Sequence, residues 1–150
     1  MQKIHFSIVI DASRGKVWDT MLSDTTYRAW TMPFHPGSYY KGDWSEGSKI
    51  LFIGPDAESG DEMGMVSRIA ENRLHEFISI EHLGIYNNGV EDTESEVAKQ
   101  WSPAFENYSF SEKDKGTEVQ VDIDILEEYK ETFEEMWPKA LQILKELAEG

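Results

Sequence analysis

The chain has 150 residues, 14 Lys+Arg against 29 Asp+Glu, a formal charge of −15 and no cysteine. That length suffices for one domain with a real core, while the missing cysteines exclude disulfide frameworks, thiolate metal sites and thiol catalysis. The acid excess, with no run of basic residues, argues against nucleic acid or an anionic membrane surface as the main partner.

The charge is lopsided. Residues 1–75 hold 8 basic and 10 acidic groups, and residues 76–150 hold 6 and 19, so the balances are −2 and −13. Such asymmetry marks either an interaction surface or a solvated acidic face. No stretch approaches the ~20 apolar residues of a spanning helix, and the first residues do not resemble a signal peptide. A cytoplasmic protein is expected, with residues 1–150 forming a single domain.

The opening segment alternates, with Ile4, Phe6, Ile8 and Ile10 on one face and His5, Ser7, Val9 and Asp11 on the other. Period two predicts a half-buried strand. Ser13 reads as a helix N-cap, and Val17, Trp18, Met21 and Leu22 follow at helical spacing. Ser23-Asp24 starts a second short helix to Trp30, which Pro33, Pro36 and Gly37 end. Short strands are then expected at Tyr39–Trp44, Lys49–Ile53, Glu62–Ala70 and Leu74–His82, the last two joined by a turn at Glu71-Asn72-Arg73. A polar stretch from Tyr86 to Lys99 reads as a long acidic loop, placed at a pocket mouth or acting as a lid. Phe105–Ser111 and Thr117–Ile125 form a hairpin across Glu112–Gly116. Phe133, Met136, Trp137, Ala140, Leu141, Leu144 and Leu147 then recur every three or four residues, predicting an amphipathic helix from about Glu128 to Ala148. Pro138 lies inside it and should bend rather than break it.

This layout resembles the helix-grip proteins of the START/Bet v 1-like (SRPBCC) superfamily. Within it, the chain is similar to the branch named after the activator of the heat-shock protein 90 ATPase. The matching pieces are Asp11-Ala12-Ser13 with Val17-Trp18-Asp19 after the first strand, and Trp30 ending the second helix. They continue with Gly64-Met65-Val66 with Ile69 and Arg73-Leu74, Gly116-Thr117-Glu118-Val119, and Trp137 with Leu141, Leu144 and Leu147. The resemblance implies an α+β helix-grip fold. A curled antiparallel sheet of about seven strands, in the order β-α-α-β6-α, would wrap around the long C-terminal helix. These motifs are framework and carry no catalytic set.

The chemistry-bearing residues are few. His5 should face outward, and His75 sits at a turn. His82 is phased with Ile78 and Ile80, so it either serves a pocket or is a strand-end histidine satisfied by backbone or water. His35, in Met32-Pro33-Phe34-His35-Pro36, is placed near the cavity entrance. Residues 56–62 resemble a calcium loop but miss its spacing and read as a solvated hairpin loop. No metal site, nucleophile elbow or phosphate loop is present, and no cofactor is expected.

The 18 aromatics exceed what two layers need. An aromatic concave sheet face suits an apolar or ring-bearing ligand; the alternative is a filled core. The expected pocket residues are Trp30, Phe34, Tyr40, Phe52, Met65, Ile80, His82, Tyr108, Phe110, Met136 and Trp137. The first functional expectation is therefore binding of a small apolar or aromatic molecule. The second, implied by the resemblance to a chaperone-activating domain, is a protein-interaction module with the acidic half as its docking face; a protein partner or a homodimer is the corresponding assembly. The third is a polyketide cyclase-like enzyme using His82, Tyr108 or His35.

Overall fold

The computed structural model describes residues 1–56 and 58–150. Strand β1 (Gln2–Ile10) leads into helices α1 (Arg14–Leu22) and α2 (Asp24–Trp30). Strands β2 (Tyr39–Gly42), β3 (Lys49–Pro55), β4 (Glu62–Arg73), β5 (Phe77–Asn87) and β6 (Val90–Asp92) follow. Helix α3 (Glu96–Gln100), strands β7 (Ala104–Lys113) and β8 (Gly116–Ile125), a 3-10 turn (Glu127–Tyr129) and helix α4 (Lys130–Glu149) complete the order.

All strand pairs are antiparallel, in the order β1-β8-β7-β5-β4-β3-β2, with β6 added beside β5. The inner face of the sheet closes on α4, as an amphipathic helix and a one-sided sheet require. Trp137, Ala140, Leu141, Leu144 and Ala148 are the buried positions of α4. They pack with Ile4, Ile10, Val119, Val121, Ile123 and Ile125 of β1 and β8 in one core. The helix runs through Pro138 without interruption. Its apolar stripe drifts at the end: Ala148 is buried and Leu147 is exposed.

Helices α1 and α2 close one end of this layer. Ser13 accepts a hydrogen bond from the Lys16 amide, which caps α1. The Trp30 indole donates to the Met21 carbonyl at 2.9 Å, and the Tyr40 hydroxyl to the Leu22 carbonyl at 2.6 Å. The first bond ties α2 to α1, and the second ties α1 to β2 of the sheet.

Two segments differ from the sequence expectation. The β4–β5 turn falls at Leu74-His75-Glu76 rather than at residues 71–73. His75 there adopts φ 63° and Leu74 is 69% exposed. The strands run further because each absorbs one extra residue: the pairing skips Ala70 in β4 and Leu83 in β5, the signature of a β-bulge. Second, residues 86–99 are not all loop. They hold the end of β5, a turn at Asn88-Gly89, β6 and α3. Asn88 and Gly89 have φ of 46° and 90°, the pair of left-handed residues that a two-residue hairpin needs. Ser95 caps α3 through the Ala98 amide at 3.1 Å. Among the described residues no helix is long and apolar enough to cross a membrane.

Candidate functional site

The Leu83 bulge decides what faces inward. In β5, Ile78, Ile80 and His82 point to α4, and after the skipped residue Ile85 takes over, opposite Met65. Met65 in turn lies opposite Phe52, and Phe52 opposite Tyr40. In β7 the inward parity falls on Glu106, Tyr108 and Phe110. From the other side, α2 contributes Tyr27 and Trp30, and the first turns of α4 contribute Phe133, Met136 and Trp137.

These elements enclose a cavity of ≈ 710 Å³ between the sheet, α2 and the first half of α4. That volume falls in the range of small-molecule sites, about 300–1,000 Å³. Its wall is chiefly aromatic. Trp137 is the hub, with ring centroids 4.8 Å from Phe34, 5.8 Å from Trp30 and 6.2 Å from Tyr108. Phe34 also meets Phe133 at 6.0 Å, and Tyr27 meets Phe52 at 6.2 Å. The Trp137 indole Nε1 is buried without a hydrogen-bond partner. Trp101, after α3, and Tyr129, before α4, pair at 5.1 Å and both line the cavity.

One polar group of four residues is set into this wall. The His82 Nδ1 lies 2.7 Å from the Ser67 hydroxyl and its Nε2 lies 3.2 Å from Glu106 Oε1. The Tyr108 hydroxyl donates to Glu106 Oε2. Ser67 and Glu106 thus hold the two ring nitrogens of His82 between them. Burial pushes the Tyr108 phenol well above its ordinary value, with the Glu106 charge and Tyr27 adding to the shift. Burial likewise pushes Tyr27 up, and the charge of Glu106 again reinforces it. Ser67 is fully buried, so it orients the imidazole and offers no nucleophile to the cavity.

The structure places eight of the eleven expected pocket residues on this lining: Trp30, Phe34, Phe52, Met65, His82, Tyr108, Met136 and Trp137. Tyr40, Ile80 and Phe110 belong to the same core without lining the cavity. Tyr40 is spent on the Leu22 carbonyl and Phe110 packs 5.1 Å from Trp18. His35 lies on the lining beside Gly54 and Asp56, while His5 faces out toward Asp122. In the 56–62 segment Asp56 accepts from the Glu58 amide and the Ser59 hydroxyl, and Glu62 opens β4; Ala57 lies outside the described residues. No cluster of three or more metal-ligating side chains occurs among the described residues. Tyr27, Trp101, Tyr129 and Phe133 also line the cavity without having been expected there, and Glu106 is the chemically important residue that sequence reasoning missed. Its signal was present, since it shares the parity of Tyr108 and Phe110.

No protein-family model matches the chain, and no curated protein matches it. Solved structures do. The Aha1 dimer from Colwellia psychrerythraea is 16% identical with a TM-score of 0.71, covering 99% of this chain and 97% of that one. A protein from Chromobacterium violaceum is 16% identical with a TM-score of 0.70, covering 100% and 99%. CalU16 from Micromonospora echinospora is 16% identical with a TM-score of 0.65, covering 97% and 75%. At these identities the likeness shows the fold alone: an α+β helix-grip, with a curled antiparallel sheet against a long C-terminal helix.

Proposed function

We propose that the protein binds a small apolar or aromatic molecule in the cavity between its sheet and α4. The observation that carries this reading is the ≈ 710 Å³ aromatic cavity with Glu106, His82 and Tyr108 at one spot on its wall. Ligand sites take this form: an apolar body for affinity and a few fixed polar groups for orientation. The test is calorimetric titration with naphthalene derivatives, together with native mass spectrometry of protein purified from cell extract. Saturable one-to-one binding that raises the unfolding midpoint is expected. No uptake across the panel would overturn the reading.

The same polar spot gives a cyclase-like enzyme a foothold. A carboxylate that accepts from an imidazole and a phenol is equipped to take a proton beside a bound carbonyl group. Exchange of the α-protons of 2-tetralone in deuterated water would be faster with the protein and return to background in Glu106→Gln. Unchanged exchange removes this second reading. The likeness to the Aha1 dimer and the framework motifs support placement in the heat-shock protein 90 activator branch. They also support the protein-interaction reading, with a partner protein or a second copy. Salt-dependent association on the acidic half is the corresponding outcome.

A further inference from the structure

The cavity has a charge character that its apolar lining conceals. Of its 25 lining residues three are carboxylates, Asp56, Glu106 and Asp124, and none is lysine or arginine. The three acids are not equivalent. Asp124 is met by the Lys3 ammonium at 2.7 Å and by the Phe105 amide at 3.0 Å. Asp56 is turned into its own loop, accepting from the Glu58 amide and the Ser59 hydroxyl. Glu106 alone stands inside the aromatic wall, and among the described residues no lysine or arginine pairs with it. Its side-chain partners are the His82 imidazole, braced at Nδ1 by the Ser67 hydroxyl, and the Tyr108 phenol.

A carboxylate held in that way has accepting capacity left over, since its two oxygens offer about four lone-pair sites and two are taken. Its side chain is largely buried, and its field is felt across the cavity: the phenol of Tyr27, contributed by α2, is pushed up by burial first and then by Glu106. A field that makes a second negative charge costly makes a positive one favourable. The surrounding rings act in the same direction, because the faces of Trp30, Trp137 and Phe34 attract a cation placed over them.

Building on the ligand-binding reading, we infer that the cavity selects its ligand by charge: it takes an apolar or aromatic body bearing a protonated amine, which Glu106 holds, and it turns away carboxylates. Fatty acids and other anionic amphiphiles have no lysine or arginine counter-ion on this wall. An amine donates to the free lone pairs of Glu106 without displacing His82 or Tyr108.

The test uses three matched probes on the intact protein: 1-naphthylmethylamine, 1-methylnaphthalene and 1-naphthoate. They share the ring system and differ in charge. Calorimetric titration should give the amine about tenfold tighter binding than the neutral hydrocarbon, as a charge-assisted hydrogen bond in a sheltered site supplies. The carboxylate should bind about tenfold more weakly than the hydrocarbon. Glu106→Gln keeps the shape and should bring the amine and the hydrocarbon to within about twofold of one another. Because the comparison rests on the unmodified protein, it stands even if the variant folds poorly. All three probes binding within about threefold would overturn the charge selection and leave the cavity reading intact. None of the three binding would overturn the cavity reading, and this inference with it.

Discussion

The two ends of helix α4 face the same sheet and do different work. Its C-terminal half presents Ala140, Leu141, Leu144 and Ala148, all essentially fully buried, to Ile10, Val119 and Val121. Its N-terminal half presents Phe133, Met136 and Trp137 to Phe34, Trp30 and Tyr108, and there a cavity remains. Branched and small aliphatic side chains interdigitate and leave no room. Large rings joined edge to face make walls that span a gap without filling it. The lesson is that hydrophobic content does not separate core from pocket in this fold. The size and stiffness of the apolar side chains do.

Mutations at matched depth in the two halves should break or sharpen that contrast. The largest effect is expected at the packed end. Leu144→Ala should cost about 2–5 kcal/mol of stability in urea unfolding, because the site cannot collapse around the void. Phe133→Ala, half-buried on the cavity wall, should cost clearly less while weakening naphthalene binding. Equal losses at both positions would mean the N-terminal half is as tightly packed as the other.

Enlargement should show the opposite asymmetry. Val119→Phe in the filled half should destabilise by about 1–3 kcal/mol through overpacking. Met65→Trp, which adds bulk into open space, should change stability by less than about 1 kcal/mol and abolish ligand uptake. Retained uptake in Met65→Trp would place the ligand elsewhere.

The hollow end should also set the alkaline limit of the fold. Tyr27 and Tyr108 ionise above their ordinary value of 10.0 in the folded chain. Unfolded protein therefore releases these protons first as pH rises past that value. The stability they contribute is fully present below about pH 10 and is lost as pH climbs beyond it. Tyr27→Phe and Tyr108→Phe should each make the fall in urea midpoint less steep. An unchanged slope in both variants would show that neither phenol is held neutral by burial.

A small change in stability is also expected at the cavity's edge. Trp101→Ala removes one aromatic pair with Tyr129, worth about 1 kcal/mol. Its main effect should be faster ligand release in stopped-flow fluorescence, with the association rate little altered. Unchanged release would show that this pair does not bar the exit.

Much of this contrast could be read from the chain, and what could not has physical reasons. Period two in β1 and β8 and the three-four spacing in α4 located the two layers and the order of elements. Trp30, Phe34, Phe52 and Trp137 were recognisable as surplus rings. Glu106 was not singled out, although it alternates with Tyr108 and Phe110, because an acid among 29 carries no mark of burial. The bulge at Leu83 leaves no sequence signal, and without it Tyr86 would be expected inward beside His82. Instead Tyr86 joins Ile53 and Val66 in a second cluster, apart from the main core. The turn at residues 74–76 was displaced because Asn72 reads as a turn residue. In the fold it stays within β4 and its side chain donates to the Trp44 carbonyl at 2.8 Å.

The methionines offer the most direct test of the central claim that the cavity is a ligand site. There are six, and Met63, Met65 and Met136 line the cavity whereas Met1, Met21 and Met32 do not. Methyl NMR spectra of methionine-labelled protein, recorded during titration with 1-methylnaphthalene, should show the first three signals shifting together to saturation while that of Met21, buried in the filled region, stays in place. No shift at any of them, or shifts confined to Met1, Met21 and Met32, would contradict the account.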